Sequence, residues 1–456
     1  MVLSGYTQFG GIHPETAALR NILTFYGVRA PHTGVAYTEA MLLGLGGGLG
    51  GGYWAFEYRD AAVPAISLWA RRGWMWVNGP FLHDMARRAG AATETHETQS
   101  VGAAEKHLRT ALKDGTPPVT SITSGTMPYP FFPDEQEQPL NHVVVLCGMD
   151  ERTEVAYVDD RTSAPLNVGL DLLAASRAHV KSQKNRLVVV SPPAGSADLA
   201  ESIRAGLRDC VYSLGSGVPN GQNWPPHNFG LAAFANLAGQ LTDTTTPNGW
   251  LRRFDSPARL FSALKALFMG IEMQTGGGAF RLLYARFLTE AAPVLKTPGL
   301  ADLAEDYLEL GSEWSVLADA ALTDSVEPLG RVKALLRDAD ALFRIQGASG
   351  LEEVRASNRE RLSLEREITT WFMSDQQQLT AHLTHLGERL SVIHTKETAA
   401  LEKLTALVAI MEPEKSEEQV APEESAELFK ETDRPWLALG QHWPTPFRPS
   451  PGAFPQ

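Results

Sequence analysis

His142 and Asp160 are spaced for proton transfer. His142 opens the apolar run Asn-His-Val-Val-Val-Leu, and Asp160 closes the run Val-Ala-Tyr-Val-Asp-Asp. Met149–Thr153 reads as the hairpin connection between two strands, and counting outward from it makes the two ends neighbours. A carboxylate on imidazole Nδ1 would fix the tautomer and leave Nε2 as general base. Taken alone, His142 reads as a hydrogen-bonded strand-end histidine.

A nucleophile is harder to find. Cys147 lies five residues after His142, and an odd spacing along a strand puts the two side chains on opposite faces. It reads as a buried structural thiol. Cys210, among Leu207, Val211 and Leu214, reads as core. Thr16 offers a hydroxyl near a helix start, where a first-turn hydrogen bond is its commoner use. Gly46-x-Gly48-x-x-Gly51 follows a helix and lacks Gly-Lys-Ser/Thr, so close packing or a bent loop outranks a phosphate cradle. No Cys-x-x-Cys or His-rich cluster occurs, so neither a metal nor a cofactor is expected.

The elements that must position these residues divide the chain. Pro14-Glu15-Thr16 reads as a first helical turn, because proline suits a turn whose N–H groups have no intrahelical partner. Ala17, Ala18, Leu19, Ile22, Leu23 and Tyr26 form the apolar stripe, and Gly27 ends it. A short second helix starts at Thr38–Leu43 and ends in the glycine run 46–52. Strands are expected at 119–122, 142–146, 155–158 and 186–190, with a helix over 170–180. Helix first and antiparallel strands later is an α+β order. From 193 on, helical periodicity covers 197–212, 229–242, 256–272, 279–293, 300–321, 327–345 and 351–410. Leu379, Leu383, Leu386, Leu390 and Ile393 make a heptad-like seam. A helix hairpin with 327–345 ranks above a homodimer through that seam. The expected domains are 1–192, 193–411 and an acidic then proline-rich tail, 412–456. That tail reads as disordered or an extended strap, anchored by Trp436, Trp443 and Phe447.

The stretch Gly-Gly-Ile-His-Pro-Glu-Thr-Ala-Ala-Leu-Arg-Asn-Ile-Leu from Gly10 and the later Thr-Glu-Ala-Met-Leu-Leu-Gly-Leu-Gly from Thr38 resemble the N-terminal domain family named after a butirosin-biosynthesis acyltransferase. That family resembles papain-like cysteine enzymes. Its first helix opens with His-Cys, the Cys being the nucleophile, and here Pro14 follows His13. Gln8 lies six residues before Pro14, the spacing of the papain-like oxyanion donor. Asp160 fits the family position better than Asp159 because Arg161 follows it. Gly276–Ala292 resembles the helical domain of unknown function that often follows. The resemblance covers nearly residues 8 to 400. It implies a papain-like fold with His142 as base, Asp160 as orienter and Gln8 as oxyanion donor. His13, Pro14, Glu15, Thr16, Glu39, Gly47 and Gly48 are the candidate substrate-binding positions. Glu39 also suits a capping role. Arg281 and Arg286 could meet a carrier phosphopantetheine or pair with acids such as Glu272 or Glu290. The implied reaction is acyl or aminoacyl transfer from a carrier-protein or small-molecule thioester to an amine, without an enzyme thiol. The alternatives are an inactive relative that binds a peptide or small molecule and, last, a hydrolase.

Composition narrows the classes. With 456 residues, 43% of them hydrophobic, the chain can build two or three domains at roughly 150 residues each. A net charge of -13 argues against a nucleic-acid backbone or an anionic membrane as partner. Two cysteines fit a reducing compartment. The N-terminus lacks a signal peptide and no run of about 20 apolar residues occurs, so the expectation is cytoplasmic.

Overall fold

The computed structural model describes the chain except for residues 58–64, 74–78, 130–140, 180, 193–194, 196, 216–223, 372–374, 412–447 and 450–456. Most of the tail lies outside the described residues, including Trp436, Trp443 and Phe447.

The N-terminal part mixes helices and antiparallel strands. Helices α1 (Pro14–Phe25) and α2 (Glu39–Leu45) lead into the hairpin β1 (Leu49–Glu57) and β2 (Ala65–Arg71). Then come α3 (Gly79–Arg88), β3 (Ala92–His96), α4 (Val101–Lys113), β4 (Val119–Thr123), β5 (Asn141–Asp150), β6 (Val155–Asp159), β7 (Leu166–Gly169), α5 (Leu170–His179) and β8 (Leu187–Ser191). The larger sheet has the antiparallel order β3-β8-β4-β5-β6-β7. A two-residue strand, β9 (Arg448–Pro449), lies antiparallel to the end of β1.

Helix α1 begins at Pro14 and ends at Tyr26 and a left-handed Gly27, φ 72°. Its apolar stripe, with Leu19, Ile22 and Leu23 at 1% exposure or less, packs on β5. The glycine run is not one loop. Only Gly46–Gly48 turn, and β1 starts at Leu49, because the hairpin partner β2 pairs through Gly52 and Trp69. Helices α3 and α4 and strands β2, β3 and β7 were not expected from the sequence.

The C-terminal part is helical: α6 (Leu199–Gly215), α7 (Gly230–Thr242), α8 (Trp250–Arg253), α9 (Pro257–Phe268), α10 (Arg281–Leu295), α11 (Gly299–Ala321), α12 (Glu327–Gln346), α13 (Leu351–Trp371) and α14 (Gln376–Met411). The periodic stretch 351–410 is thus two helices. Helix α14 packs along α7, α11 and α6, and 327–345 pairs with α13 instead. The expected hairpin between α14 and 327–345 therefore does not form. The seam Leu383, Leu386 and Leu390 is fully buried inside the chain, each leucine contributing about 1.5–3 kcal/mol.

The two parts share one apolar core. Helix α2 lies against α6 and α10, at a contact where Gly44 meets the Phe287 ring and its carbonyl faces Gly206. No helix among the described residues is long and apolar enough to cross a membrane.

Candidate functional site

The start of α1 is built around a carboxylate. His13 is the extended N-cap and makes no side-chain cap, and Pro14 occupies the first turn. Helix N-termini leave N–H groups unsatisfied. Glu39, at the start of α2, takes the N–H of the N-cap and that of the residue before it: Oε1 accepts from Ile12 N at 2.8 Å and Oε2 from His13 N at 3.1 Å. The Thr16 hydroxyl donates to the same Oε2 at 2.6 Å. An anion at the positive end of a helix is favourable. Thr16 and Glu39 thus close the helix start, the capping use the sequence also allowed.

Strand pairing brings His142 to Asp160. Val145 pairs with Asp159, so Asp160 lies one residue beyond, diagonal to His142. Asp160 Oδ1 is 2.8 Å from His142 Nε2. The bonded nitrogen is therefore Nε2 and not the expected Nδ1, because the diagonal offset makes the ring reach along the strand with its far atom. Tyr129 donates its hydroxyl to Asp160 Oδ2 at 3.1 Å, and Arg161 Nε lies 3.5 Å from Oδ1. Burial pushes the Asp160 carboxyl up, but His142, Arg161 and Tyr129 outweigh it and hold it below the usual range. Arg161, left-handed at φ 59°, donates from Nη1 to the Ile12 carbonyl at 3.0 Å. That bond ties the Asp160 corner to the start of α1. The sequence carried no sign of Tyr129.

Beside this pair, Arg71, Glu15, Phe81, His13 and Phe280 gather at the start of α1. Arg71, the last residue of β2, lies 2.6 Å from Glu15 Oε2 and over the Phe81 ring, 4.3 Å from its centroid. His13 stands edge-on to Phe280 and Phe81, with centroids 5.1 and 6.1 Å apart. Burial, then Arg71, Arg161 and His142, lower the His13 pKa well below the ordinary value, so its ring is neutral. Burial raises Glu15 against the pull of Arg71 and His142. The His142 side chain is 10% exposed. Arg71 and Phe81 were missed because the hairpin that places Arg71 was hidden by the glycine run.

Gln8 and the glycines sit in other company. Gln8 Nε2 donates to the Thr162 carbonyl at 3.3 Å, beside the buried Asp159. Tyr6 and Asn21 donate to Asp159, at 2.7 and 2.8 Å. Burial nevertheless pushes Asp159 up to about 6. A Cβ at Gly47 would meet Arg72, and one at Gly48 would meet Tyr284. Those glycines serve close packing between the two parts of the chain.

Neither thiol suits nucleophilic chemistry. Cys147, in a register slip of β5, donates to the Tyr157 carbonyl at 3.3 Å. Burial pushes it up to about 12 and Cys210 up to about 11, so both are protonated thiols at neutral pH. Arg281 pairs with Glu397 at 2.6 Å, not with Glu272 or Glu290, and is fully buried, whereas Arg286 is exposed. Among the described residues no group of three or more His, Cys, Asp or Glu is arranged to hold a metal ion.

Two family models match in tandem. Residues 13–161 match "Butirosin biosynthesis protein H, N-terminal", and residues 170–359 match "Domain of unknown function (DUF4872)". This is the two-domain arrangement expected from the motifs. The first match runs from His13, the N-cap of α1, to Arg161, which bonds to the neighbouring Ile12 carbonyl. Strand β8 falls in the second match yet lies between β3 and β4 in the larger sheet, and helix α5, also in that match, packs on β4. A search of the curated proteins found no match.

Proposed function

We propose, for a chain that carries a butirosin biosynthesis protein H N-terminal domain followed by the DUF4872 domain, acyl or aminoacyl transfer from a thioester to an amine at the His142–Asp160 site. The family match supports the biosynthetic class. The observation that carries the mechanism is the 2.8 Å bond between His142 and an ionised, buried Asp160 at the start of α1. The framework is papain-like in this reading, with its covalent step removed. Pro14 has no nucleophile and no N–H to offer an oxyanion.

The route is direct. The acceptor nitrogen attacks the thioester carbonyl, a C–N bond forms and the C–S bond breaks. His142, held by Asp160 through Nε2, takes the proton from the nitrogen at Nδ1 and returns it to the departing thiolate. Asp160 stabilises the transient imidazolium. A thioester is already activated, so alignment of the two substrates supplies much of the rate. An acyl carrier protein or a small thioester serves as donor.

Covalent trapping tests the route. The protein is mixed with an N-acetylcysteamine thioester, quenched, and weighed intact. The proposal expects no acylated protein from the wild type and an acyl adduct from Pro14→Cys. An adduct on the wild type would overturn the thiol-free route. A second reading, a non-catalytic binder of a peptide or small molecule, draws on Pro14 and the near-burial of His142. It predicts thioester or peptide binding by calorimetry with no turnover.

A further inference from the structure

The segment Gly276–Phe280 has five successive residues at positive φ: 73°, 102°, 58°, 51° and 67°. The last two are Ala279 and Phe280, whose Cβ atoms oppose that conformation at a cost of roughly 1–2 kcal/mol each. Non-glycine strain of this kind persists only where the surroundings enforce it. The segment follows an irregular turn at Met269–Met273, where the helix widens to i→i+5 bonding, a feature frequent at functional sites. Glu272 holds it from behind, its carbonyl accepting from Gly277 N at 2.9 Å and its Oε1 from Gly278 N at 3.2 Å.

The segment reaches the start of α1. A Cβ at Gly276 would collide with Ile12 Cγ2. Phe280 places its ring edge-on to His13, 5.1 Å between centroids. Ile12 carries the carbonyl that holds Arg161, and Arg161 flanks Asp160. A second contact comes from α12, where Phe343 stacks on Tyr129 at 5.5 Å, and Tyr129 bonds to Asp160. The helical domain thus touches both halves of the site, once at His13 and once at the Asp160 corner.

We propose that the helical domain completes the site of the first domain, with Gly276–Phe280 as a strained clamp and Phe280 as a positioning residue that fixes the His13 ring beside His142. Its activity readout rests on the acyl-transfer reading, whereas its structural readout does not. The clamp excludes water from His13 and sets its orientation relative to the groups that face it. Those groups are Glu15 on α1, Glu39 on α2, Arg71 on β2, His142 on β5 and Arg161 after β6.

The test uses full-length protein with ring-labelled histidine, with His13 assigned by its loss in His13→Gln. Imidazole signals are followed from about pH 5 to 8 in wild type, Phe280→Leu, Phe280→Ala and Gly276→Ala. The proposal expects a neutral, non-titrating His13 in wild type and in Phe280→Leu. In Phe280→Ala, and in Gly276→Ala where the added methyl meets Ile12, His13 shifts and titrates within that range. In thioester aminolysis kcat falls roughly tenfold to a hundredfold in those two variants with KM little changed, and Phe280→Leu keeps most of it. Near-UV circular dichroism checks folding, and Gly276→Ala carries the test if Phe280→Ala does not fold. A wild-type His13 titration in folded Phe280→Ala and Gly276→Ala overturns the proposal. Loss of the acyl-transfer reading alone shows differently: His142→Ala would match wild-type turnover while His13 still responded to Phe280.

Discussion

Asp159 and Asp160 are adjacent in sequence, and their surroundings shift their carboxyls in opposite directions. Asp159 accepts from Tyr6 and Asn21, and burial raises it to about 6. Asp160 meets the same burial but is outweighed by His142 and Arg161 and stays below the usual range. The consequences for stability have opposite signs. A raised folded pKa gives stability that is full below the unfolded value and is lost as pH rises through about 6 at Asp159. A depressed one gives stability that is present at neutral pH and is lost as pH falls. Urea unfolding of wild type and Asp159→Asn should therefore show the wild type losing about 2 kcal/mol relative to the variant between pH 4 and 7, at 1.36 kcal/mol per unit. For Asp160→Asn the relative loss of the variant should shrink on acidification. Parallel pH profiles for both variants would contradict these environments. The choice of Asp160 over Asp159 was legible from Arg161. The bonded nitrogen was not, because the diagonal register depends on the slip at Leu146/Gly148.

At the scale of elements, the start of α1 depends on α2. Glu39 accepts from Ile12 N, His13 N and Thr16 Oγ1 across a gap of more than twenty residues. Glu39→Gln keeps the shape but loses the charge at the helix end. It should cost about 1–2 kcal/mol, read as a drop in the thermal midpoint, with Thr16→Val partly additive. An unchanged midpoint would mean that the cap contributes nothing. Helix α1 and the strands β4, β5, β6 and β8 were legible because proline, glycine and β-branched runs mark them locally. The hairpin β1–β2 was not. Glycines 50–52 leave no side-chain alternation to read, and their use lies in what packs on them: the Arg71 backbone, Gly230 and Trp69. Missing that hairpin meant missing Arg71.

At the scale of the molecule, the two family matches do not fold apart. Helix α2 is wedged between α6 and α10, and β1 packs on α7. The fully buried Arg281 pairs with Glu397 of α14, joined by Trp314 Nε1 at 2.8 Å, and Arg281 also reaches the Ala70 carbonyl of β2. Removing one partner of a buried pair costs about 3–5 kcal/mol, so Glu397→Gln should unfold at lower urea. Leu390→Ala should cost about 3 kcal/mol by opening a cavity, independent of protein concentration. Equilibrium unfolding of the wild type should be one transition across far-UV and tryptophan signals. Two separated transitions would contradict a shared core. The heptad seam of α14 was visible in the sequence. Its true neighbours, α7 and α11, were not, since long-range pairing leaves no local trace.

In the proposed transfer, His142, oriented by Asp160, moves the proton and no enzyme thiol is needed. The most direct measurement is the initial rate of amine acylation from an N-acetylcysteamine thioester, compared for wild type, His142→Ala and Asp160→Asn at matched folding. Turnover is expected of the wild type, with losses of roughly 10²–10⁴-fold in His142→Ala and a smaller loss in Asp160→Asn. Equal rates for wild type and His142→Ala would contradict this role for His142.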